Sequence, residues 1–156
     1  MAKNLYEKLL LEFANAIVKM QDKSHMKAFR GGVKCEACKN IHGRCIDSIY
    51  GLLVAYKLTK NKKFLESLEL LFDYGENLIC KDGGIYNDAQ TEWRYTTTFQ
   101  EISLIETITS GKKILSKKLI KKIDHRIKIC ADWLYKNLNE FSYTNINYTA
   151  TNGLAL

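Results

Sequence analysis

The sequence predicts an all-α fold built from consecutive antiparallel helical hairpins. Three observations predict it: apolar residues recur at helical spacing, proline is absent, and charge separates the predicted helices into two alternating kinds. The 46% hydrophobic content is typical of a folded chain, and 156 residues is the length of one domain. We therefore expect a single helical-hairpin domain over residues 1–156.

Six helices can be placed by their apolar spacing. The predicted ranges are about Lys3–Gln21, Arg44–Thr59, Lys62–Ile79, Thr97–Thr109 and Lys117–Asn139, followed by a helix that begins near Tyr148. In the first helix, the apolar row consists of Leu5, Leu9, Phe13 and Ile17.

Charge divides these helices into outer and inner ones. The first, third and fifth are amphipathic, whereas the second, fourth and sixth carry almost no charge. A helix that is apolar on nearly all sides is buried, and an amphipathic one faces solvent. The connections from outer to inner helices, over residues 22–43, 80–96 and 140–147, are long. In an up-and-down array these three loops lie at one end, and loops of such length usually serve a function.

The end of the sequence is apolar. Its last residues, 151–156, read Thr-Asn-Gly-Leu-Ala-Leu and continue the sixth helix without a polar cap. Because helical arrays end in elements with a polar outer face, we expect a domain that is truncated or incomplete at its C-terminus. Self-association through the exposed C-terminal helix is the other expectation.

The first long loop has the composition of a metal site. Cys35, Cys38, His42 and Cys45 follow the spacing C-x2-C-x3-H-x2-C. Thiolates and imidazole at this density can close a tetrahedral zinc site, so structural zinc is predicted. The alternative is an oxidisable cysteine pair beside an unrelated histidine.

His42 also begins a second motif, with Arg44 and Asp47 one helical turn apart at the start of an inner helix. The planar fork of Arg44 can clamp a carboxylate. Asp47 is a substrate-binding candidate or, alternatively, an acid that stabilises the helix N-terminus. If His42 binds metal it cannot also act as a base, so these two interpretations compete.

The second and third loops carry the groups that sugars bind. Tyr86 and Trp93 lie among Asp88 and Arg94, where rings can stack on pyranose faces and charged groups can bind hydroxyls. The alternative is that these aromatic rings pack the loop onto the helices.

The third loop supplies Asn147, Tyr148 and Asn152. Tyr148 can act as acid or base, and an amide can neutralise a substrate carboxylate. Asn is equally what a helix cap requires.

These motifs carry a resemblance to a known group of enzymes. The sequence resembles the six-hairpin (α/α) toroid carbohydrate-active enzymes in three features. These are the alternating outer and inner hairpins, an Asp-Gly-Gly loop at 82–84 that leads to Trp93 and a Thr-rich helix, and the sequence Asn-Tyr-x-x-Thr-Asn at 147–152. These include heparinase II/III-like and alginate-lyase-like polysaccharide lyases and unsaturated glucuronyl hydrolases. The resemblance implies an arc, or about half, of an (α/α)6 toroid.

The resemblance also implies an activity on acidic, uronate-containing oligo- or polysaccharide, by β-elimination or hydrolysis. Lyases of this kind neutralise a uronate carboxylate and use a Tyr or His as base, which matches His42, Arg44, Asn147 and Tyr148. Hydrolases of this kind use an Asp, for which Asp88 is the best match. The Cys-rich loop is not part of the common pattern of either group.

The rival class is a non-catalytic helical-repeat module that binds a protein partner and holds a structural zinc loop. The net charge of +7 comes from lysines spread over amphipathic helices, with a cluster at 112–122, so a solvated face is favoured over nucleic-acid binding. No apolar run reaches the length of a membrane span, and no membrane partner is expected. No secretory signal is visible, which predicts a cytoplasmic chain, or a periplasmic or secreted one if a signal was removed.

Overall fold

The computed structural model describes residues 4–87, 94 and 96–137, and in this part of the chain it is all-α. The helices are α1 (Leu5–Met20), α2 (Ile49–Thr59), α3 (Lys63–Glu76), α4 (Thr96–Gly111) and α5 (Lys117–Asn137), with a 3-10 helix over Gly43–Ser48 before α2. The predicted fold class is confirmed for the described residues, which contain isolated β-bridges and no strand. The predicted sixth helix lies outside them.

The chain forms two compact units, Met1–Asn77 and Leu78–Leu156. In the first, α1, α2 and α3 pack together with the 3-10 helix. Its core is apolar and fully buried, with the largest contributions from Ile46, Leu52, Leu53, Phe64, Leu68, Leu71 and Phe72. Burial follows the charge pattern: α2 is shielded along most of its length, whereas α3 exposes one charged face.

Two helix boundaries differ from the predicted ones by three residues or more. The second helix was predicted from Arg44, but residues 43–48 form a 3-10 turn and the α-helix begins only at Ile49. The third was predicted to reach Ile79 and ends at Glu76. The chain leaves the helix there because Ile79 pairs with Ile85 in a short bridge, a contact that apolar periodicity does not reveal.

The apolar row predicted on α1 is only partly buried. Ile17 is buried, as expected, but Leu5, Leu9 and Phe13 are 64%, 51% and 47% exposed. The face of α1 that is buried in the first unit carries Ala14 and Ile17. Periodicity correctly found an amphipathic helix and placed part of its packed face incorrectly.

Gln21 ties the first long loop to α3. Its side-chain amide is buried and donates to the backbone carbonyls of Gly31 and Ser67, both at 2.9 Å. The Ser67 hydroxyl donates back to Gln21 Oε1 at 2.8 Å. Gly31 lies against α3 at φ +94°, where an added Cβ would come within 1.9 Å of the Leu70 carbonyl oxygen. The loop base is therefore fixed by specific polar contacts and by a position that only glycine fits.

The second unit begins with a short hairpin around the Ile79–Ile85 bridge and continues into α4 and α5, which pack on each other. Among its described residues, the buried apolar ones are Ile85, Leu104, Leu115, Leu119, Ile123, Cys130, Trp133 and Leu134. The sequence predicts an apolar stripe on α5 made of Leu119, Ile123, Ile127, Ala131, Leu134 and Leu138. Its first two residues and Leu134 are buried, Ile127 and Ala131 are half-buried, and Leu138 lies outside the described residues. The buried face also includes Arg126, which is 1% exposed. Cys130 is also buried.

Helix α4 buries many polar side chains, as Thr96, Thr97, Thr98, Gln100, Glu101, Ser103 and Thr107 all lie inside. Glu101 is 1% exposed, its Oε2 accepts no hydrogen bond from the described residues, and burial raises its pKa to about 7. In the part of the chain that the structure describes, no helix is both long and apolar enough to cross a bilayer.

We expect Gln21→Ala to lower the free energy of unfolding by about 2 kcal/mol, because it leaves buried hydrogen-bonding groups of α3 and the loop without their partner. Chemical denaturation measures the change. The matched control is Asn15→Ala, which removes an exposed amide that donates to the Leu11 carbonyl and accepts from Lys63 Nζ. Because both contacts are exposed to solvent, the change should cost less than about 0.5 kcal/mol. Equal effects of the two changes would contradict the role of Gln21.

We expect Glu101→Gln to make the chain more stable at neutral and alkaline pH. Glu101 has an ordinary pKa of 4.5 and titrates near 7 when folded, so the unfolded chain ionises first and stability falls as pH rises through this window. The neutral amide removes that loss, which is on the order of 2–3 kcal/mol. Denaturation near pH 4 and pH 8 should show a gain only at the higher pH, and the exposed Glu106→Gln on the same helix should show none. A gain of equal size at both pH values would exclude this titration as the cause.

Candidate functional site

The predicted site residues that the structure describes fall into two groups, one in each unit. The first lies between Cys35 and Asp47, and the second surrounds Tyr86 and Arg94. Five candidates lie outside the described residues, namely Asp88, Trp93, Asn147, Tyr148 and Asn152. That the three long loops share one end stays a prediction.

The first group is organised by a small hairpin. Lys34 and Ile41 form an antiparallel bridge, and the Cys35 amide donates to the Asn40 carbonyl at 2.8 Å. The turn closes because the Lys39 amide donates to the Cys35 carbonyl at 2.9 Å, with Lys39 in the left-handed region at φ 63°. This turn brings Cys38 back toward Cys35, and His42 follows directly after the hairpin.

Three of the four predicted metal ligands come together here. One ligand atom each from Cys35, Cys38 and His42 lies within 4.8 Å of the others. Cys38 Sγ is 2.9 Å from His42 Nε2. The pKa of the Cys35 thiol is lowered, first by the backbone N–H of Cys38 and next by that of Ala37, because both donate to its sulfur. These three side chains could hold a soft metal ion.

Cys45, the fourth predicted ligand, lies apart from this group. It belongs to the 3-10 helix, and burial raises the pKa of its thiol to about 12. The backbone N–H of Val33 donates to its sulfur. Cys45 is therefore a neutral, inward-facing thiol that packs the loop.

Arg44 and Asp47 are electrostatic neighbours in the 3-10 helix, as their spacing predicts. Burial raises the pKa of Asp47 to about 7, and the positive charge of the exposed Arg44 acts in the opposite direction. The N-cap of α2 is Ser48, so Asp47 does not cap that helix. A half-buried carboxyl that titrates near neutrality can exchange protons or accept a hydrogen bond from a ligand.

The second group is built on a turn formed by the Asp-Gly-Gly sequence at 82–84. The Gly83 amide donates to the Cys80 carbonyl at 3.0 Å, and the Gly84 amide donates to Asp82 Oδ1 at 3.2 Å. Gly83 has φ +96°, and a Cβ on Gly84 would come within 2.7 Å of the Trp133 ring. Glycine is required at both positions, because the turn lies directly on α5.

Arg94 is held over this turn by three contacts. Its guanidinium pairs with the Asp82 carboxylate, lies 5.0 Å from the centre of the Tyr86 ring, and donates to the Tyr86 hydroxyl at 3.3 Å. The main chain is fixed as well: the Thr97 hydroxyl donates to the Arg94 carbonyl at 2.6 Å and accepts from the Ile85 amide at 2.9 Å. Thr97 thus connects α4 to the hairpin.

A cavity of about 510 Å³ opens beside these residues, lined by Ile79, Cys80, Lys81, Asp82, Tyr86 and Arg94. Its volume is within the range of small-molecule sites. The lining carries two cationic side chains, Lys81 and Arg94, and one carboxylate, Asp82. Its net positive charge favours binding of an anionic ligand. Sequence reasoning named Tyr86 and Arg94 as site residues but named neither Lys81 nor Asp82. Lys81 and Asp82 could have been found from their position, because they lie in the turn directly before Tyr86.

Comparison with known proteins identifies the family. Residues 10–156 match the sequence model of the family described as Ulvan lyase N-terminal domain. Over 153 residues the chain is 29% identical to the broad-specificity ulvan lyase of Formosa agariphila, an alignment that covers 96% of this chain and 24% of that protein. The chain therefore spans about a quarter of the relative's length. No solved structure matches the chain.

The predicted resemblance to polysaccharide lyases is confirmed at the level of the family, whereas the (α/α)6 toroid stays a prediction. Because the family model matches nearly the whole sequence, this chain belongs to the ulvan lyase N-terminal domain family.

Proposed function

We propose that this chain is the helical domain of a polysaccharide lyase that cleaves an acidic, uronate-containing polysaccharide of the ulvan type by β-elimination. Family membership and the 29% identical ulvan lyase support a lyase over a hydrolase. The observation that carries the substrate class is the cavity in which Arg94 and Lys81 accompany the Tyr86 ring.

Each wall of the cavity has a role in this proposal. Arg94 and Lys81 bind the carboxylate of an acidic sugar, since hydrogen bonds between oppositely charged groups are the stronger ones. The Tyr86 hydroxyl is an additional partner for sugar hydroxyls, because it already reaches the same guanidinium. Asp82 keeps Arg94 in place in the absence of sugar and can exchange its ion pair for one with the substrate.

β-Elimination needs a base that removes the proton from C5 of the uronate, a group that neutralises the carboxylate, and an acid that protonates the departing O4. The C4–O4 bond breaks as the C4–C5 double bond forms. Each of these roles is still a prediction from the sequence, namely charge neutralisation for Arg44 or Asn147 and proton transfer for His42 or Tyr148. Asp88 would serve the hydrolytic alternative.

The alternative function is a non-catalytic helical-repeat module that binds a protein. The Cys35, Cys38 and His42 group favours the metal-bearing loop of that alternative. It predicts a protein partner whose binding is independent of uronate, and neither nucleic acid nor a membrane as ligand.

Binding of a purified uronate oligosaccharide tests the cavity directly. We expect Arg94→Ala and Lys81→Ala each to weaken binding by about tenfold in calorimetric titration, because each removes a charge-assisted contact. Lys121→Ala is the matched control, as it removes the same charge from a different cavity, beside Ile120 and Asp124. A neutral oligosaccharide of equal length should bind weakly.

Equal losses for Lys121→Ala and Lys81→Ala would show general charge attraction and contradict the site. The reaction type has a separate readout, namely the ultraviolet absorbance of the unsaturated uronate formed by the natural full-length protein. New reducing ends without that absorbance would establish hydrolysis and overturn the proposed lyase activity.

A further inference from the structure

We propose that Cys35, Cys38 and His42 together bind one zinc ion, and that the fourth coordination position is open to a ligand from outside the chain. This inference is independent of the proposed polysaccharide lyase activity. It rests on the geometry of the 34–42 hairpin and on the chemistry of its three donor atoms.

The donor atoms are close enough to share an ion. With zinc–sulfur bonds of about 2.3 Å and zinc–nitrogen bonds of about 2.0–2.1 Å, neighbouring ligand atoms of a tetrahedral site lie roughly 3.5–3.8 Å apart. The three atoms here are all within 4.8 Å of one another, and Cys38 Sγ is 2.9 Å from His42 Nε2. Movements of less than about 1 Å, which side-chain rotations supply, would reach the zinc geometry.

The backbone is arranged for a metal-bound thiolate. The amides of Ala37 and Cys38 donate to the Cys35 sulfur, which stabilises negative charge on it. The Lys39 turn and the Cys35–Asn40 hydrogen bond hold this arrangement. His42 Nδ1 is buried, so Nε2 is the nitrogen presented to the two thiols.

The donor types select zinc over the common hard cations. Two thiolates and one neutral imidazole are soft or borderline ligands, which suit zinc, whereas magnesium and calcium require oxygen. The two thiolate charges also balance the charge of the ion. A bare cysteine pair would explain two of the three side chains and leave the position of His42 unexplained.

The fourth position distinguishes this site from a closed structural one. Cys45, the expected fourth ligand, is half-buried, and its sulfur accepts a hydrogen bond from the backbone N–H of Val33. Among the described residues, no further Cys, His, Asp or Glu joins the group, and Cys38 is exposed. Three protein ligands with one open position hold water or an incoming oxygen ligand. With zinc bound, His42 is a ligand and leaves the set of candidate bases.

Cobalt(II) titration of the reduced protein under anaerobic conditions tests the proposal, because tetrahedral cobalt bound to thiolate has intense visible bands and a sulfur-to-metal charge-transfer band. We expect one cobalt per chain, displaced by stoichiometric zinc. Cys35→Ser, Cys38→Ser and His42→Ala should each weaken binding by more than the roughly 10–100-fold typical of losing an outer-shell partner. Cys80→Ser, a thiol of the second unit, should bind as the parent does.

Two further measurements address the fourth position and folding. Azide should shift the cobalt bands if the position is open, and Cys45→Ala should keep the one-to-one stoichiometry. In the protein without substitutions, zinc should protect Cys35 and Cys38, but not Cys80, from alkylation. This measurement does not depend on whether a variant folds.

Absence of the charge-transfer band, or unchanged cobalt affinity in both Cys35→Ser and Cys38→Ser, would overturn the site. Equal alkylation of all accessible thiols with and without zinc would do the same. Loss of binding in a folded Cys45→Ala variant, or no response to azide, would overturn the open fourth position.

Discussion

The buried amide of Gln21 is the interaction on which the first unit depends. A long polar loop can lie against a helix only if its backbone groups find partners. Gln21 provides them at the point where α1 ends, by donating to Gly31 and to the Ser67 carbonyl of α3. With this contact in place, Gly31 lies against the Leu70 carbonyl, and the chain continues into the 34–42 hairpin. The cysteine group therefore depends on a glutamine that contributes no ligand.

Thr97 has the corresponding function in the second unit. Its hydroxyl accepts from the Ile85 amide and donates to the Arg94 carbonyl, so one side chain fixes both sides of the cavity. The side chain of Arg94 is then free to pair with Asp82 and to cover the Tyr86 ring. In both units a buried polar side chain next to a helix end determines the course of a long loop. Such residues specify one arrangement, because no other arrangement satisfies their hydrogen bonds.

The helices and the all-α class could be predicted, since apolar periodicity is a local property that sequence displays directly. Which face of a helix becomes buried is not a local property of the sequence. Leu5, Leu9 and Phe13 fit an apolar row yet are exposed, and Arg126 is buried, because partners far along the chain decide these outcomes. Prediction of the metal ligands shows the same limit. Four possible ligands lie within eleven residues of the sequence, which predicted a four-ligand site. The 3-10 helix at residues 43–48 turns Cys45 inward, and sequence spacing does not reveal that geometry.

The loop that Gln21 anchors has a further property. Its base is closed by two hydrogen bonds, from the Asp22 amide to Gly32 and from the Gly31 amide to Asp22, both at 2.8 Å. Residues 23–30 between these bonds are all exposed. This segment is a lobe with joined ends, so changes in its length leave the ends in place. It is thus the part of the first unit where a lineage can insert a new recognition element, or an experimenter a fluorescent label, while the hairpin beyond it keeps its course.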